Sequence, residues 1–266
     1  MAAGSGFASY FGGIGRALSA RDYRIYWYSH VFSSHGVWMH RMAVGVLIFQ
    51  LTGSPAWLGF IGFLYSLPLM FLGPIAGAVA DRMGIRLTAI AAILLTVGLT
   101  FIMGGLTLVH LMTPVLLASI MFILGIIHAF DFPVRQVLIQ LLVGRERMAA
   151  AVALNSTTFN TSAFTGPMIG AGVLALGKTY VGDMAPGLVF ILYGLTMAAL
   201  LGAILRTEMR DQPSTRGDLT KLARDVMEGL TYTLNHRAMR LSLCMWFLVS
   251  LFAKPYMDLL PGYALA

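Results

Sequence analysis

Stretches of twenty or so residues without a charged side chain recur along most of this chain, over 56–80, 87–109 and 148–176 among others. An α-helix rises about 1.5 Å per residue, and a bilayer hydrocarbon core about 30 Å thick is crossed by roughly 20 apolar residues. A water-soluble surface cannot be covered by such segments. Of the 266 residues 11% are charged, against about 25% in ordinary soluble domains. The expected fold is all-α, a polytopic transmembrane helical bundle in a lipid bilayer.

The spans are expected over 25–50, interrupted by Arg41, then 56–80, 87–109, 114–133, 148–176 and 186–205, with a seventh over 240–261. The chain therefore divides into a cytoplasmic N-terminal segment (1–24), a six-helix transmembrane bundle (25–206), a cytoplasmic amphipathic linker (207–239) and a seventh transmembrane helix (240–266). No cleavable leader is expected, because the first two dozen residues lack a compact apolar core followed by a small-residue cleavage site. Phe7, Phe11, Ile14 and Leu18 fall instead at helical spacing, which suits a segment lying on the membrane surface. In the linker, Leu219, Leu222, Val226 and Leu230 recur at helical spacing between charged residues, which predicts an amphipathic helix.

The net charge of +7 follows from topology, since Lys and Arg concentrate in cytoplasmic connections. With the N-terminus inside, one side collects Arg16, Arg21, Arg24, Arg82, Arg86, Arg135, Arg145, Arg147 and seven basic residues between Arg206 and Arg240, and the other holds Lys178. The expectation is a multi-pass protein of the inner (cytoplasmic) membrane with a cytoplasmic N-terminus and no nucleic-acid partner. The single cysteine, Cys244, allows no intrachain disulfide or cysteine metal cluster.

One connection and one helix carry recognisable patterns. The link between the second and third spans reads Gly77-Ala78-Val79-Ala80-Asp81-Arg82-Met83-Gly84-Ile85-Arg86. Gly77 would let a neighbouring helix approach closely, and Gly84 would permit a tight reversal. Asp81 falls at a helix C-terminus, where the macrodipole disfavours a carboxylate, so it calls for a basic partner. Arg135, at the cytoplasmic end of the fourth span, is the candidate; a solvated loop carboxylate is the other reading. In the fifth span, Thr165-Gly166-Pro167-Met168-Ile169-Gly170-Ala171-Gly172 sets Gly166 and Gly170 on one face, while Pro167 removes a backbone bond and invites a kink.

The loop pattern resembles the signature that the major facilitator superfamily carries between its second and third spans, with Ile85 where that family has a base. The fifth-span pattern resembles the Gly-Pro-x-x-Gly-Gly signature of its drug and proton antiporters, with Ala171 in place of a glycine. The stretches 18–27, 50–55, 133–146 and 228–232 are similar to the branch that contains enterobactin and macrolide exporters, so the resemblance covers nearly the whole chain from Leu18 onward. It implies a six-helix N-terminal bundle of the major facilitator fold plus a seventh helix. Transporters of that family have twelve spans, so it also implies a fragment or a half-transporter, completed by a missing C-terminal bundle or a second copy.

The function implied is secondary active efflux of a small amphipathic molecule, of the drug or siderophore class, by antiport with protons and alternating access. Gly77, Asp81, Arg82, Gly84, Arg86 and Arg135 would form a conformational switch, and Gly166, Pro167 and Gly170 a mobile, closely packed helix. The alternative is a non-transporting membrane scaffold or a half-transporter subunit.

Ionisable residues within membrane spans are functional candidates, which singles out Arg41, Asp131 and His128 for a substrate or proton pathway. Each has a plainer reading: Arg41 reaching the outer interface, Asp131 neutralised by Arg135 one helical turn on, and His128 buried and neutral. His30, His35 and His40 are spaced by five, which suits no shared metal, and no metal or cofactor is expected. No hydrolase, metalloprotease or phosphate-loop motif is present, so the chain is not expected to be an enzyme.

Overall fold

Each apolar stretch folds as one long helix, and glycine or proline marks most of the breaks. The computed structural model describes residues 15, 17–207, 231, 235–236, 238–242 and 244–245, with the side chains of Pro74, Ala78, Asp81 and Arg145 outside the description. Helix α1 (Arg21–Thr52) stops at Gly53, whose φ of 62° is a left-handed conformation that glycine adopts without penalty. Its N–H donates to Phe49 O at 2.8 Å. Helix α2 (Pro55–Met83) opens on a proline, whose fixed φ suits a first turn. Gly84, at φ 87°, reverses the chain into α3 (Ile85–Leu108).

Helix α4 (Pro114–Val143) is capped by Thr113, whose hydroxyl oxygen accepts the Leu116 N–H at 3.2 Å. Single 3₁₀ turns, Arg145–Arg147 and Gly182–Met184, lead into α5 (Met148–Val181) and α6 (Ala185–Arg206). The expected end of the fourth span at Pro133 is corrected, because that proline lies inside α4. A proline removes one backbone bond and bends a helix, but Val134, Leu138, Ile139 and Leu142 beyond it are buried, and that packing holds the second half in place. Arg135 therefore sits about two turns inside the helix rather than at its end.

Pro55–Gly73, α3, α4 and the run Met148–Arg206 are long and apolar enough to cross a membrane. Helix α1 is longer than α3 or α6, but three histidines and Arg41 interrupt its apolar character. Of the expected seventh span, residues 240–242 and 244–245 are helical; the rest of it, the N-terminal segment before residue 15 and the linker helix lie outside the described residues.

The helices associate chiefly as α3 on α6, α2 on α4, and α1 against both α5 and α6. Glycines set the closest approaches. A Cβ on Gly104 would stand 3.0 Å from Gly187 O and one on Gly187 3.0 Å from Gly104 O, while one on Gly125 would lie 3.1 Å from Tyr65 Cα. Lipid tails are as apolar as leucine, so backbone proximity of this kind is a main source of helix association in a bilayer. Two core layers result. Leu47, Ile48, Leu117 and Phe190 belong to one and Tyr23, Tyr26, Leu138 and Leu200 to the other; α1 passes through both.

Candidate functional site

Helices α1, α2, α4 and α5 enclose a cavity of about 470 Å³, with Thr96 of α3 and Tyr193 of α6 reaching it from behind. The α1 side chains that face it are Tyr26, His30, Ser33, Ser34, Val37, His40, Arg41, Val44 and Ile48. Steps of three and four residues place them on one stripe of the helix. Most of the polar residues that make the middle of α1 less apolar than its neighbours are on that stripe; His35 faces α5 instead. From Tyr26 to Ile48 the helix extends about 33 Å, so the cavity runs along the bundle rather than sitting at one end.

The lining is segregated. Near the start of α1 it is polar, with Asp131, Arg135 and Gln136 from α4 and Asn155, Ser156 and Asn160 from α5. Near the end of α1 it is apolar, with Leu58 and Ile61 from α2 and Met121 and Leu124 from α4. Antiparallel packing produces this division: Leu117 and Met121, early in α4, share a core layer with Leu47 and Ile48, whereas Leu138 and Ile139, late in α4, share one with Tyr23 and Tyr26. Between the two ends, the Arg41 guanidinium carbon lies 5.2 Å from the centre of the Trp38 ring, a cation–π distance. The His40 ring packs on Tyr193 at 4.8 Å and Phe190 at 5.5 Å, and His128 stacks on Tyr65 at 5.6 Å.

At the polar end, Arg135 Nε donates to Asp131 Oδ2 at 2.5 Å, one helical turn away across Pro133. The two side chains are 18% and 10% exposed, so each charge depends on the other for compensation. Arg135 Nη2 also donates to Met197 Sδ at 3.8 Å. Asp131 Oδ1, Tyr26 Oη, His30 Nδ1 and both polar atoms of Asn155 have no hydrogen-bond partner among the described residues. The His30 ring stacks on Tyr26 at 5.5 Å and 9°.

A band of polar contacts joins α1 to α5 along the same wall. Tyr23 Oη donates to Ala151 O at 3.2 Å, and Trp27 Nε1 donates to Thr158 Oγ1 at 3.1 Å. The His35 ring sits between Val31 O at 2.8 Å, Thr165 Oγ1 at 2.9 Å and Ser162 Oγ at 3.1 Å. Where α5 passes closest, a Cβ on Gly166 would lie 3.1 Å from His35 O and one on Gly170 3.3 Å from Met39 Cα. Pro167 lies between them inside the helix.

The sequence profile of a family described as transmembrane secretion effectors matches residues 16–264. The chain belongs to that family. The family is one of transporters within the major facilitator superfamily, and the curated proteins that the chain resembles agree. It is 24% identical over 145 residues to the staphyloferrin A transporter of Staphylococcus aureus, covering 53% of this chain and 36% of that protein. It is 26% identical over 209 residues to the uncharacterised major facilitator-type transporter YfiS of Bacillus subtilis, covering 77% and 47%. The chain thus spans less than half the length of these curated relatives.

In this secretion-effector chain, Arg41, His128, Asp131 and Arg135 come together on one cavity. In the switch loop, Arg135 gives its Nε to Asp131, and the side chain of Asp81 lies outside the described residues. Among the described residues no atom lies within 4 Å of where a Cβ on Gly77 would be, and α2 meets α4 at Tyr65, against Gly125. Gly84 provides the reversal at φ 87°. Arg82 is half-buried, and Arg86 Nη2 donates to Leu205 O at 3.2 Å, tying the loop to the last turn of α6.

Tyr26, His30, His40, Tyr65, Asn155 and Tyr193 also line the cavity, beyond the residues that the sequence singles out. For the α1 members a signal exists in the three-and-four spacing of polar residues within an otherwise apolar span. Tyr65 and Tyr193 sit singly in apolar helices, and nothing in their spacing marks them.

Proposed function

We propose that this chain is the N-terminal bundle and the beginning of the second bundle of a secondary active exporter. It moves a small amphipathic molecule, of the drug or siderophore class, out of the cytoplasm in exchange for protons. The observation that carries this reading is the cavity itself, polar at one end, apolar at the other, with a buried carboxylate–guanidinium pair in its polar wall. An amphiphile would bury its body and hydrogen-bond its head in such a space. The family description supports export, and the relative named for staphyloferrin A supports a small-molecule cargo.

Proton coupling rests on Asp131. The carboxylate is held by Arg135; taking up a proton means releasing that arginine, so the protonated and ionised forms favour different arrangements of α4. Coupling requires a ligand to distinguish two states in this way. Arg41 and His128 lie on the route between the two ends, and the glycine-proline stretch of α5 gives a wall that can shift against α1. The loop from Gly77 to Arg86 is the switch between states. The second bundle comes from further sequence or from a second copy, in an inner membrane with the N-terminus cytoplasmic.

The test uses the protein at its native length, isolated from its own membrane and reconstituted in liposomes across an imposed pH gradient, with labelled drug and siderophore probes. Gradient-driven probe movement that is abolished in Asp131→Asn is the expected result. Movement that ignores the gradient overturns the proton coupling, and no movement at all overturns the reading and leaves a scaffold or half-transporter subunit.

A further inference from the structure

The polar end of the cavity holds unused hydrogen-bonding capacity of both kinds. Tyr26 is fully buried, and its hydroxyl has no partner among the described residues. Asp131 is 7% exposed and leaves Oδ1 unpartnered while Oδ2 takes Arg135. The Asn155 carboxamide lies beside the Tyr23 hydroxyl, which donates to Ala151 O, and the carboxamide oxygen remains open. Buried polar atoms left without partners are costly, and in a cavity they are satisfied by water or by a ligand that replaces it.

The charges there are already balanced. A cationic head group drawn to Asp131 would have to displace Arg135, and an anionic one drawn to Arg135 would have to displace Asp131, stranding a buried charge in either case. An uncharged head that both donates and accepts meets the open atoms without disturbing the pair. We propose that this site selects uncharged amphiphiles whose head carries hydroxyl or amide groups, bound by Tyr26, Asn155 and Asp131 Oδ1, with the apolar body against the adjoining Phe132, Phe159 and Val37. This rests on the reading of the cavity as the cargo site and narrows the cargo's chemistry.

Three probes with one tail isolate the head group: hexyl β-D-glucoside, hexyltrimethylammonium and hexyl sulfate, titrated calorimetrically below micellar concentrations against the purified chain in lipid nanodiscs, with empty discs subtracted. The glucoside is expected to bind saturably and more tightly than both ionic probes. Tyr26→Phe, which removes a hydroxyl that has no partner among the described residues, and Asn155→Leu should each weaken it roughly five- to tenfold, as loss of one hydrogen bond does. Ser119→Ala, outside the cavity, should leave it unchanged, and matching thermal midpoints would show that the variants are folded. An ionic probe that binds as tightly as the glucoside, no saturable binding of any probe, or wild-type binding by folded Tyr26→Phe and Asn155→Leu overturns the proposal. Binding is read without a gradient, so a failure of proton-coupled export leaves a positive result intact, and export without glucoside selectivity overturns the head-group assignment alone.

Discussion

Asp131 and Arg135 stand one turn apart on α4, and the structure keeps both charged groups mostly away from solvent. Removing one member of such a pair strands the other, at about 3–5 kcal/mol, whereas removing both leaves no stranded charge. Asp131→Asn and Arg135→Gln should therefore each lower stability by about 3 kcal/mol, and the double variant should recover most of that loss instead of summing the two. Thermal unfolding of the four proteins in nanodiscs reads the cycle; strict additivity would mean the residues act independently. The pair is legible in the sequence because i,i+4 neighbours on a helix meet whatever the fold. A partnership of Asp81 with Arg135 depends on which spans adjoin, and spacing holds no such information. Tyr26 and Asn155 reach the same cavity from different helices, and their convergence is non-local for the same reason.

Helix pairing turns on which glycines meet a neighbour. Gly166→Val should force α5 away from α1, because the added atoms meet Trp38 Cβ and His35 O; overpacking of this kind costs about 1–3 kcal/mol. Gly77→Ala should be neutral or stabilising by up to about 1 kcal/mol, since it fills open space and improves helix propensity. Parallel thermal midpoints would distinguish the two, and an equal loss at both sites would contradict this packing. Both glycines belong to recognisable motifs, yet among the described residues only the one in α5 lies where another backbone passes. A motif shows that a residue is small; the neighbour that exploits this is set by the fold. The same gap places the expected end of the fourth span at Pro133, because the apolar residues after it are held by tertiary burial that the local signal does not include.

For the molecule as a whole, the number and order of helices through α6 are readable from apolar stretches of spanning length together with the glycine, proline and polar breaks between them, and the proposed orientation follows from where arginines gather. In a Cys244→Ser background, Lys178→Cys should react with a membrane-impermeant maleimide in intact cells, and Arg147→Cys only after permeabilisation. The opposite pattern would invert the proposed topology. The polar stripe on α1 also bears on how the protein is made. Arg41 alone costs about 2.5–3.5 kcal/mol near a helix centre on insertion scales, and His30 and His40 accompany it on the stripe. Helix α1 is thus poorly suited to lipid by itself, and the partners that bury its flanks, α5 and α6, leave the ribosome after α2, α3 and α4. Helix α1 is therefore secured in the bilayer only when the partners that follow it have been made.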